Sequence, residues 1–305
     1  MESISIKSTK TKTTKVKPTY KKRINKKKLK QFALNSLGIS ICLIFAAPLI
    51  LTFLMSLMPA GELSILRNAF LNEEGLNLGH MIPKMMTIRQ YFIVLINRLD
   101  FLNFFWNSCK ITFPIVIGQT VLGSLAAYGF AKFKFPLRDK LFYIYVIAML
   151  MPFQVTLVPN FIVAIKMNLL GTFKAIILPG VFSTFGIFYM RQFIKSIPDE
   201  VIEAAKIDGA GHLKIFYKII VPLSKPYIAS LAVLSFIDAW NMVEQPLIML
   251  PDKSQYPLSL ILAMVGKDDF QIVFAASVIF LLPTLLLYMG TRDSLESGLK
   301  HMSLK

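Results

Sequence analysis

Long uncharged apolar stretches alternate with shorter polar ones along most of this chain. Six of these stretches are predicted to be transmembrane helices, because about 20 mostly apolar residues suffice to cross the hydrocarbon core of a bilayer. The fourth is the shortest, and a helix of its length covers only about 24 Å, so the flanking Lys174 and Arg191 would have to reach towards the interfaces. The six predicted spans are residues 32–58, 111–131, 141–165, 175–190, 227–250 and 270–291.

Prolines inside the predicted spans indicate bent helices. Proline lacks a backbone donor, and a membrane tolerates it only where neighbouring groups satisfy the freed carbonyl. Each proline alone is most simply an ordinary kink, but the whole set favours bent helices around a pathway. A further apolar run, 254–266, is too short to span and is predicted to be interfacial or re-entrant. The prolines are Pro48, Pro114, Pro152, Pro159, Pro179, Pro246 and Pro283.

The composition agrees with a membrane protein. Hydrophobic residues make up 55% of the 305 residues and charged residues 17%, whereas about a quarter of a soluble domain is charged. The net charge of +17 does not indicate a nucleic-acid-binding protein, because the basic residues flank apolar runs instead of forming one basic face. The two cysteines and three histidines have no disulfide or metal-binding spacing, so neither is predicted.

The basic residues predict the orientation of the spans. With the N-terminus inside the cell, the tail 1–31, the loops 132–140 and 191–226 and the tail 292–305 hold 25 of the 34 Lys and Arg residues. The segment 59–110 then forms an extracellular loop. This interpretation places both termini in the cytoplasm of a multi-pass protein.

The inside loop 191–226 has the pattern of two short helices separated by glycine. Ser196 is predicted to cap the first helix, with Pro198 in its first turn and acidic residues near the positive end of the helix dipole. Gly209 is predicted to end it, because glycine enters the left-handed region at little cost. A second helix over about 211–220 would stop before Pro222.

One side of the first short helix carries small residues. Val201, Ala204, Ala205 and Asp208 follow the spacing of a single helical face. Small side chains let another backbone approach closely, which is typical of a helix that docks in a groove.

Several short motifs resemble those of one family over about residues 85–290. The most specific is EAAKIDGAG followed by IFYKIIVPL, which is similar to the EAA loop of permeases in ATP-binding-cassette (ABC) importers. All of the motifs together resemble the smaller permease subunit of binding-protein-dependent, maltose-type sugar importers. The others, in chain order, are NSCKIT, LAAYGFAKFKF, MPFQVTLVP, GIFYMRQF, AWN and PLSL.

The resemblance implies an all-α membrane protein of six transmembrane helices, the type I ABC importer permease fold, in a bacterial plasma membrane. The EAA loop, 196–226, would hold a cytoplasmic coupling helix in a cleft of a separate ATPase. The implied partners are a second permease, two copies of the ATPase, an extracellular solute-binding protein and a sugar. The implied coupling residues are Glu203, Ala204, Ala205, Asp208 and Gly209.

The chain departs from the family pattern in three places. The extracellular loop has an extra stretch near 61–82, the basic tail is unusually long, and Gly211 replaces a polar residue. The extra stretch is expected to alter contacts with the binding protein.

Four residues of the fifth span are candidates for a translocation pathway or gate. Acidic residues inside a membrane usually have a function, which favours Asp238 and Glu244, although Glu244 is also compatible with an interfacial position. Trp240 and Asn241 match the family's WN pair, and their side chains suit the C–H and hydroxyl groups of a sugar. Packing between helices is the alternative for this pair.

Other functions are less well supported. Gly118 and Gly123 have the first spacing of a phosphate-binding loop, but no Lys-Ser/Thr follows them. No catalytic residues, cofactor or metal are predicted, and ATP hydrolysis is assigned to the partner. An importer with the same machinery that carries a polyol or glycerol phosphate remains an open alternative. An ion-coupled secondary transporter is disfavoured, because such proteins often contain an internal repeat and this sequence shows no convincing one. A membrane-tethered nucleic-acid- or lipid-binding protein is disfavoured because it would leave the EAA loop without a role.

Overall fold

The computed structural model describes residues 26–71, 81–264 and 270–303, and within these ranges it contains helices and no strand. The chain divides into two compact units, Met1–Leu49 and Ile50–Lys305. The first unit contains the N-terminal part of helix α1, and the second contains the remaining helices.

The helices vary widely in length. Only α1, α4 and α15 exceed 30 residues. Short π-helical turns, Ile93–Asn97 and Phe216–Ile220, follow α3 and α10. The helices are α1 Lys26–Ser56, α2 Ala60–Leu71, α3 Arg89–Phe92, α4 Leu99–Lys132, α5 Arg138–Met149, α6 Phe153–Lys166, α7 Lys174–Val181, α8 Thr184–Ile194, α9 Asp199–Ile207, α10 His212–Ile215, α11 Val221–Leu223, α12 Lys225–Trp240, α13 Glu244–Met249, α14 Leu258–Ala263 and α15 Phe270–Ser303.

Among the described residues, three single helices are long and apolar enough to cross a membrane, within α1, α4 and α15. Two bent pairs also pass when each is taken as one broken span: α5 with α6, and 212–223 with α12. The predicted fourth span has no such counterpart, because Phe182 and Ser183 divide it into α7 and α8. The extended backbone of Ser183 interrupts the helical hydrogen bonds there.

Two further predicted spans are broken, and one starts earlier than expected. The third bends by 105° between α5 and α6, where Pro152 has an extended backbone and disfavours a helix at the residue before it. The predicted fifth span stops at Trp240, and α13 begins only at Glu244. Helix α4 begins at Leu99, so the predicted outer loop 59–110 is largely helical where it is described.

Helix α4 lies at the centre of the second unit and packs against α7, α8 and α12. Its approach to α8 depends on Gly123 and Gly186, because a Cβ on Gly123 would lie 3.3 Å from the carbonyl carbon of Gly186. Its approach to α7 depends on Gly118, where a Cβ would lie 2.6 Å from Cγ2 of Val181.

Two apolar clusters occupy opposite ends of α4. The first surrounds its C-terminal end and includes Tyr128, Met190 and Ile202 from three different helices. The second surrounds its N-terminal half and includes Ile111, with residues of α6, α7, α13 and α14. The first cluster supports the helix α9.

The segment predicted to be interfacial or re-entrant packs inside the second unit over its described part, 254–264. Asn107 Nδ2 donates to the carbonyl oxygens of Ser254 and Tyr256 at 2.8 and 3.2 Å. The Ser108 hydroxyl accepts from the backbone amide of Leu258 at 2.8 Å. The NSCKIT motif therefore fastens this segment to α4.

Candidate coupling site

Helix α9 forms the centre of the EAA segment, and its C-terminal end is closed by glycine as predicted. Gly209 has a φ of 76°. Its amide donates to the Lys206 carbonyl at 3.0 Å, and the Ala210 amide donates to the Ala205 carbonyl at 2.9 Å. These two bonds form a Schellman motif, which satisfies carbonyls that the helix end leaves free.

The predicted cap at the other end is wrong. Helix α9 begins at Asp199, and the residue before it is Pro198, with an extended backbone. The hydroxyl of Ser196 instead donates to the Phe193 carbonyl at 2.8 Å, which places it at the end of α8. Asp199 and Glu200 lie in the first turn of α9, where the helix dipole favours negative charge.

The exposed face of α9 matches the predicted docking side except at Ala205. Ile202 is buried in the first apolar cluster, and Ala205 packs against that cluster. Residues of the opposite side are exposed, as is the apolar side chain of Ile207, which is 87% exposed. Ala205 is therefore turned partly inward, because Ile202 anchors the helix on its side. The exposed residues of α9 and the turn that ends it are Asp199, Glu200, Val201, Glu203, Ala204, Lys206, Ile207, Asp208 and Gly209.

Lys132 attaches the start of α9 to the last residue of α4. Its side chain is only 5% exposed, and its ammonium donates to Asp199 Oδ1 at 2.6 Å and to the Ile197 carbonyl oxygen. The hydrogen bond and charge of Lys132 lower the pKa of the Asp199 carboxyl below its usual range. This carboxylate therefore stays ionised at neutral pH.

Arg191 makes a second attachment at the same end of α4. Its Nε donates to the Phe130 carbonyl oxygen at 3.3 Å, and its Nη2 donates to Asp139 Oδ1 at 3.2 Å. Its guanidinium carbon lies 3.7 Å from the centre of the Phe142 ring. The Arg138 side chain lies beside the same carboxylate, and its Nε donates to Asp139 Oδ1 at 3.2 Å.

Neither attachment was predicted from the sequence. Lys132 and Arg191 were counted as charges that orient the spans, and Arg191 also as a residue flanking the short fourth span. Their partners lie 52 to 67 residues away along the chain, and no local pattern connects residues that far apart. Their position at the ends of apolar stretches was the only available signal.

Three of the four predicted pathway residues form an exposed row. Asp238, Asn241 and Glu244 are all exposed, and they follow the last turn of α12 into the break before α13. Gln154 Nε2 donates to the Glu244 carboxylate at 3.3 and 3.4 Å. Gln154 lies at the start of α6, so this bond joins the breaks of two predicted spans.

Trp240 lies apart from this row. Its side chain is 1% exposed, and its Nε1 donates to the Phe280 carbonyl at 3.1 Å. Its ring stacks on Phe236 and Phe280, with ring centres 5.3 and 5.4 Å away. This position corresponds to the packing alternative, because the indole is enclosed by α12 and α15.

Comparison with known proteins agrees with this architecture. The sequence pattern of the family described as binding-protein-dependent transport system inner membrane component matches residues 119–301. The chain belongs to this family. As a family member it is a permease component of the inner membrane, and the matched region contains α9, both attachments and the exposed row.

Individual relatives are permease proteins of different transport systems. A probable ABC transporter permease of Pyrococcus horikoshii is 34% identical over 72% of this chain and 82% of its own length. The arabinooligosaccharides transport system permease AraQ of Halalkalibacterium halodurans is 29% identical over 71% and 79%. The sn-glycerol-3-phosphate transport system permease UgpE of Yersinia enterocolitica is 33% identical over 61% and 68%.

Solved structures confirm the predicted fold. A chain of a bacterial ABC transporter that imports the acidic polysaccharide alginate superposes with a TM-score of 0.75. It covers 91% of this permease and 99% of itself at 21% identity. A second structure of an alginate transporter, bound to a periplasmic protein carrying an alginate pentasaccharide, has a TM-score of 0.62 at 15% identity. The permease therefore has the all-helical importer fold.

Proposed function

We propose that this chain is one of two permease subunits of an ATP-driven sugar importer and that α9 is its coupling helix. The observation that carries the proposal is the geometry of α9. One side of the helix is anchored in an apolar cluster, and the other side presents exposed apolar, small and acidic side chains. Exposed apolar surface rimmed by polar residues is typical of a protein-interaction site, which supports a partner on this side of α9.

The proposed partner of this face is an ATPase subunit, present in two copies, one for each permease. Glu203 would meet a basic group of the ATPase, and Ala204 would allow close approach of its backbone. Asp208 and Gly209 would hold the turn that ends the helix, while Ala205 supports it from the inner side. Hydrolysis of ATP is assigned to this partner and not to the permease.

The proposed transport cycle is alternating access. A solute-loaded binding protein docks on the extracellular side, and ATP-driven closure of the ATPases displaces α9. The spans then open outward and receive the solute in a cavity near the middle of the membrane. Both termini of the permease lie in the cytoplasm in this arrangement, as the distribution of basic residues predicts.

The proposed pathway surface is the row of Asp238, Asn241 and Glu244, together with Gln154. Broken helices in transporters commonly place substrate sites at their breaks, and this row follows one break and contacts another. Exposed acidic groups within a membrane are stable only where they face water or another polar surface. Trp240 would support the row by fixing α12 against α15.

A sugar is the proposed solute, and a polyol or glycerol phosphate is the second candidate. The sugar is supported by the motif resemblance and by the relative whose name refers to arabinooligosaccharides. Glycerol phosphate is supported by the relative whose name refers to it. Uptake of radiolabelled sugars and of glycerol phosphate by cells with and without the gene distinguishes the two.

The direct test is purification of the tagged chain from its host in a mild detergent, followed by mass spectrometry. Recovery of an ABC ATPase and a second permease in fixed ratio is the expected result. A variant with Glu203→Lys should insert normally but lose the ATPase. Recovery of the chain alone, under conditions in which a known importer stays assembled, would overturn the proposal.

A further inference from the structure

The burial of Lys132 is unusual for a residue that only orients a span. Lys134 and Lys140 belong to the same basic loop and are exposed, as expected for charges that interact with water and lipid head groups. The side chain of Lys132 is 5% exposed and reaches two acceptors in another segment. Burying an ammonium group is costly unless it is paired, so the buried position of Lys132 depends on these two acceptors.

The two acceptors lie on either side of Pro198. One is the carbonyl oxygen of Ile197, in the connection from α8, and the other is the carboxylate of Asp199, the first residue of α9. Proline already fixes one backbone angle between them. Lys132 therefore holds the beginning of α9 in a single position relative to the end of α4.

Arg191 holds the preceding helix to the same place. Its bond to the Phe130 carbonyl satisfies one of the last carbonyls of α4, which have no partner inside the helix. Its bond to Asp139 and its contact with Phe142 extend the attachment to α5. The ends of α4, α5 and α8 and the start of α9 are thus joined by two cations.

We propose that Lys132 and Arg191 are positioning residues which make α9 and the adjoining ends of α4, α5 and α8 move as one rigid body. The connection from α8 to α9 consists of residues 195–198, and a connection of this kind absorbs movement if nothing braces it. With both cations in place, displacement of α9 is transmitted to α4 instead. This inference rests on the proposed function, because it takes α9 as the helix that the ATPase moves.

The test compares variants of the complete complex, purified with its own ATPase and reconstituted in lipid vesicles. The readout is the amount of solute taken up per ATP hydrolysed, which a loss of stability alone does not change. Lys132→Met should leave assembly and basal ATP hydrolysis intact and reduce this ratio about tenfold, within the usual range of coupling between sites. Lys132→Arg should keep most of the ratio, because its cation can reach the same acceptors.

Lys140→Met is the matched control, since it removes the same charge from an exposed position in the first turn of α5, within the same basic segment 132–140. It should behave as the wild type does. If Lys132→Met fails to assemble, Asp199→Asn tests the same contact, because the Asp199 side chain is 73% exposed and tolerates substitution. That variant should reduce the ratio by a smaller factor.

The outcomes separate this inference from the proposed function. If Lys132→Met takes up as much solute per ATP as the wild type, the positioning role of Lys132 is overturned and the importer function is left intact. The same holds for Asp199→Asn where the first variant does not assemble. An equal loss in Lys140→Met would overturn it as well, because the effect would then come from net charge. A wild-type chain that purifies without any ATPase would instead overturn the proposed function.

Discussion

At the scale of single residues, Gly209 and Lys132 are important for different reasons. Gly209 provides a backbone conformation, since its φ of 76° is one that other residues adopt at a cost. Lys132 provides a buried positive charge that pairs with two acceptors, Asp199 and the Ile197 carbonyl. Substitutions at the two positions should therefore fail in distinguishable ways.

Gly209→Ala should lower the stability of the EAA segment by about 1 kcal/mol, because alanine is strained in the left-handed region. A Cβ at this position meets nothing within 4 Å, so the cost comes from the backbone alone. Gly209→Asn should cost less, since asparagine tolerates this conformation. Hydrogen exchange of the α9 amides in the purified complex measures the effect.

Gly129→Ala is the control for this experiment. It also adds a Cβ in open space, but it lies inside α4, where alanine is favoured over glycine. It should leave exchange of the α9 amides unchanged. Equal protection of α9 in Gly209→Ala and the wild type would contradict the argument from φ.

Trp240 provides a test between packing and gating. Trp240→Ala should destabilise the permease by about 3–5 kcal/mol, because a fully buried indole is removed. Trp240→Phe keeps the stacking and loses the bond to the Phe280 carbonyl, which should cost about 1 kcal/mol. Thermal unfolding of the purified complex measures both.

Uptake kinetics decide whether Trp240 has a second role. If the residue only packs, Trp240→Phe should leave the KM for solute unchanged. A large change in KM at wild-type stability would show that the indole contacts the solute. Trp240 would then belong to the proposed pathway.

At the scale of elements, close approach of helices determines the second unit. Helix α4 meets α7 and α8 through glycines, whose missing side chains bring the backbones near one another. The breaks at 150–152, 182–183 and 241–243 let the chain change direction between packed helices. Close packing and breaks together explain how elements of 8 to 16 residues fill the space around one long helix.

Gly118→Ala should destabilise the contact between α4 and α7 by about 1–3 kcal/mol, as expected for overpacking. Its Cβ would lie 2.6 Å from Cγ2 of Val181, a short branched side chain that cannot turn away. Val181→Ala should restore part of the loss in the double variant. Thermal unfolding of the two single variants and the double variant gives the coupling energy, and strict additivity would refute the contact.

At the scale of the whole permease, the exposed row on α12 and the following break is the surface along which solute is proposed to pass. Polar and acidic groups on this row, and Gln154 facing it from α6, are exposed in the isolated chain. In the assembled importer they would face water or the second permease. A reagent dissolved in water reaches groups that face water, but not groups that the second permease covers.

Cysteine labelling tests the access of water to this row. After Cys42 and Cys109 are replaced by serine, Asn241→Cys and Glu244→Cys should react with a polar maleimide in the assembled complex. Ala239→Cys is the control, since its position is 5% exposed, and it should react at least about tenfold more slowly because thiol reactivity depends on access. Equal rates at all three positions would contradict a water-lined pathway here.

The amino-acid sequence alone determined the helical class, five of the stretches that form spans or bent pairs, the turn at Gly209 and the family. These properties depend on local signals: apolar length, the conformational freedom of glycine and short motifs. The candidate coupling residues were also named from a local motif, and their role stays a prediction; they are Glu203, Ala204, Ala205, Asp208 and Gly209.

Only the tertiary structure decided which residues meet. It divided the fourth stretch into two helices, turned Ala205 inward beside Ile202, separated Trp240 from its neighbours in the row, and joined Lys132 to Asp199 across 67 residues. Hydropathy and periodicity describe one segment at a time, whereas burial and pairing depend on segments far apart in the chain. For this reason the sequence pointed to α9 as the candidate coupling helix, and the structure identified the side chains that hold α9 in place.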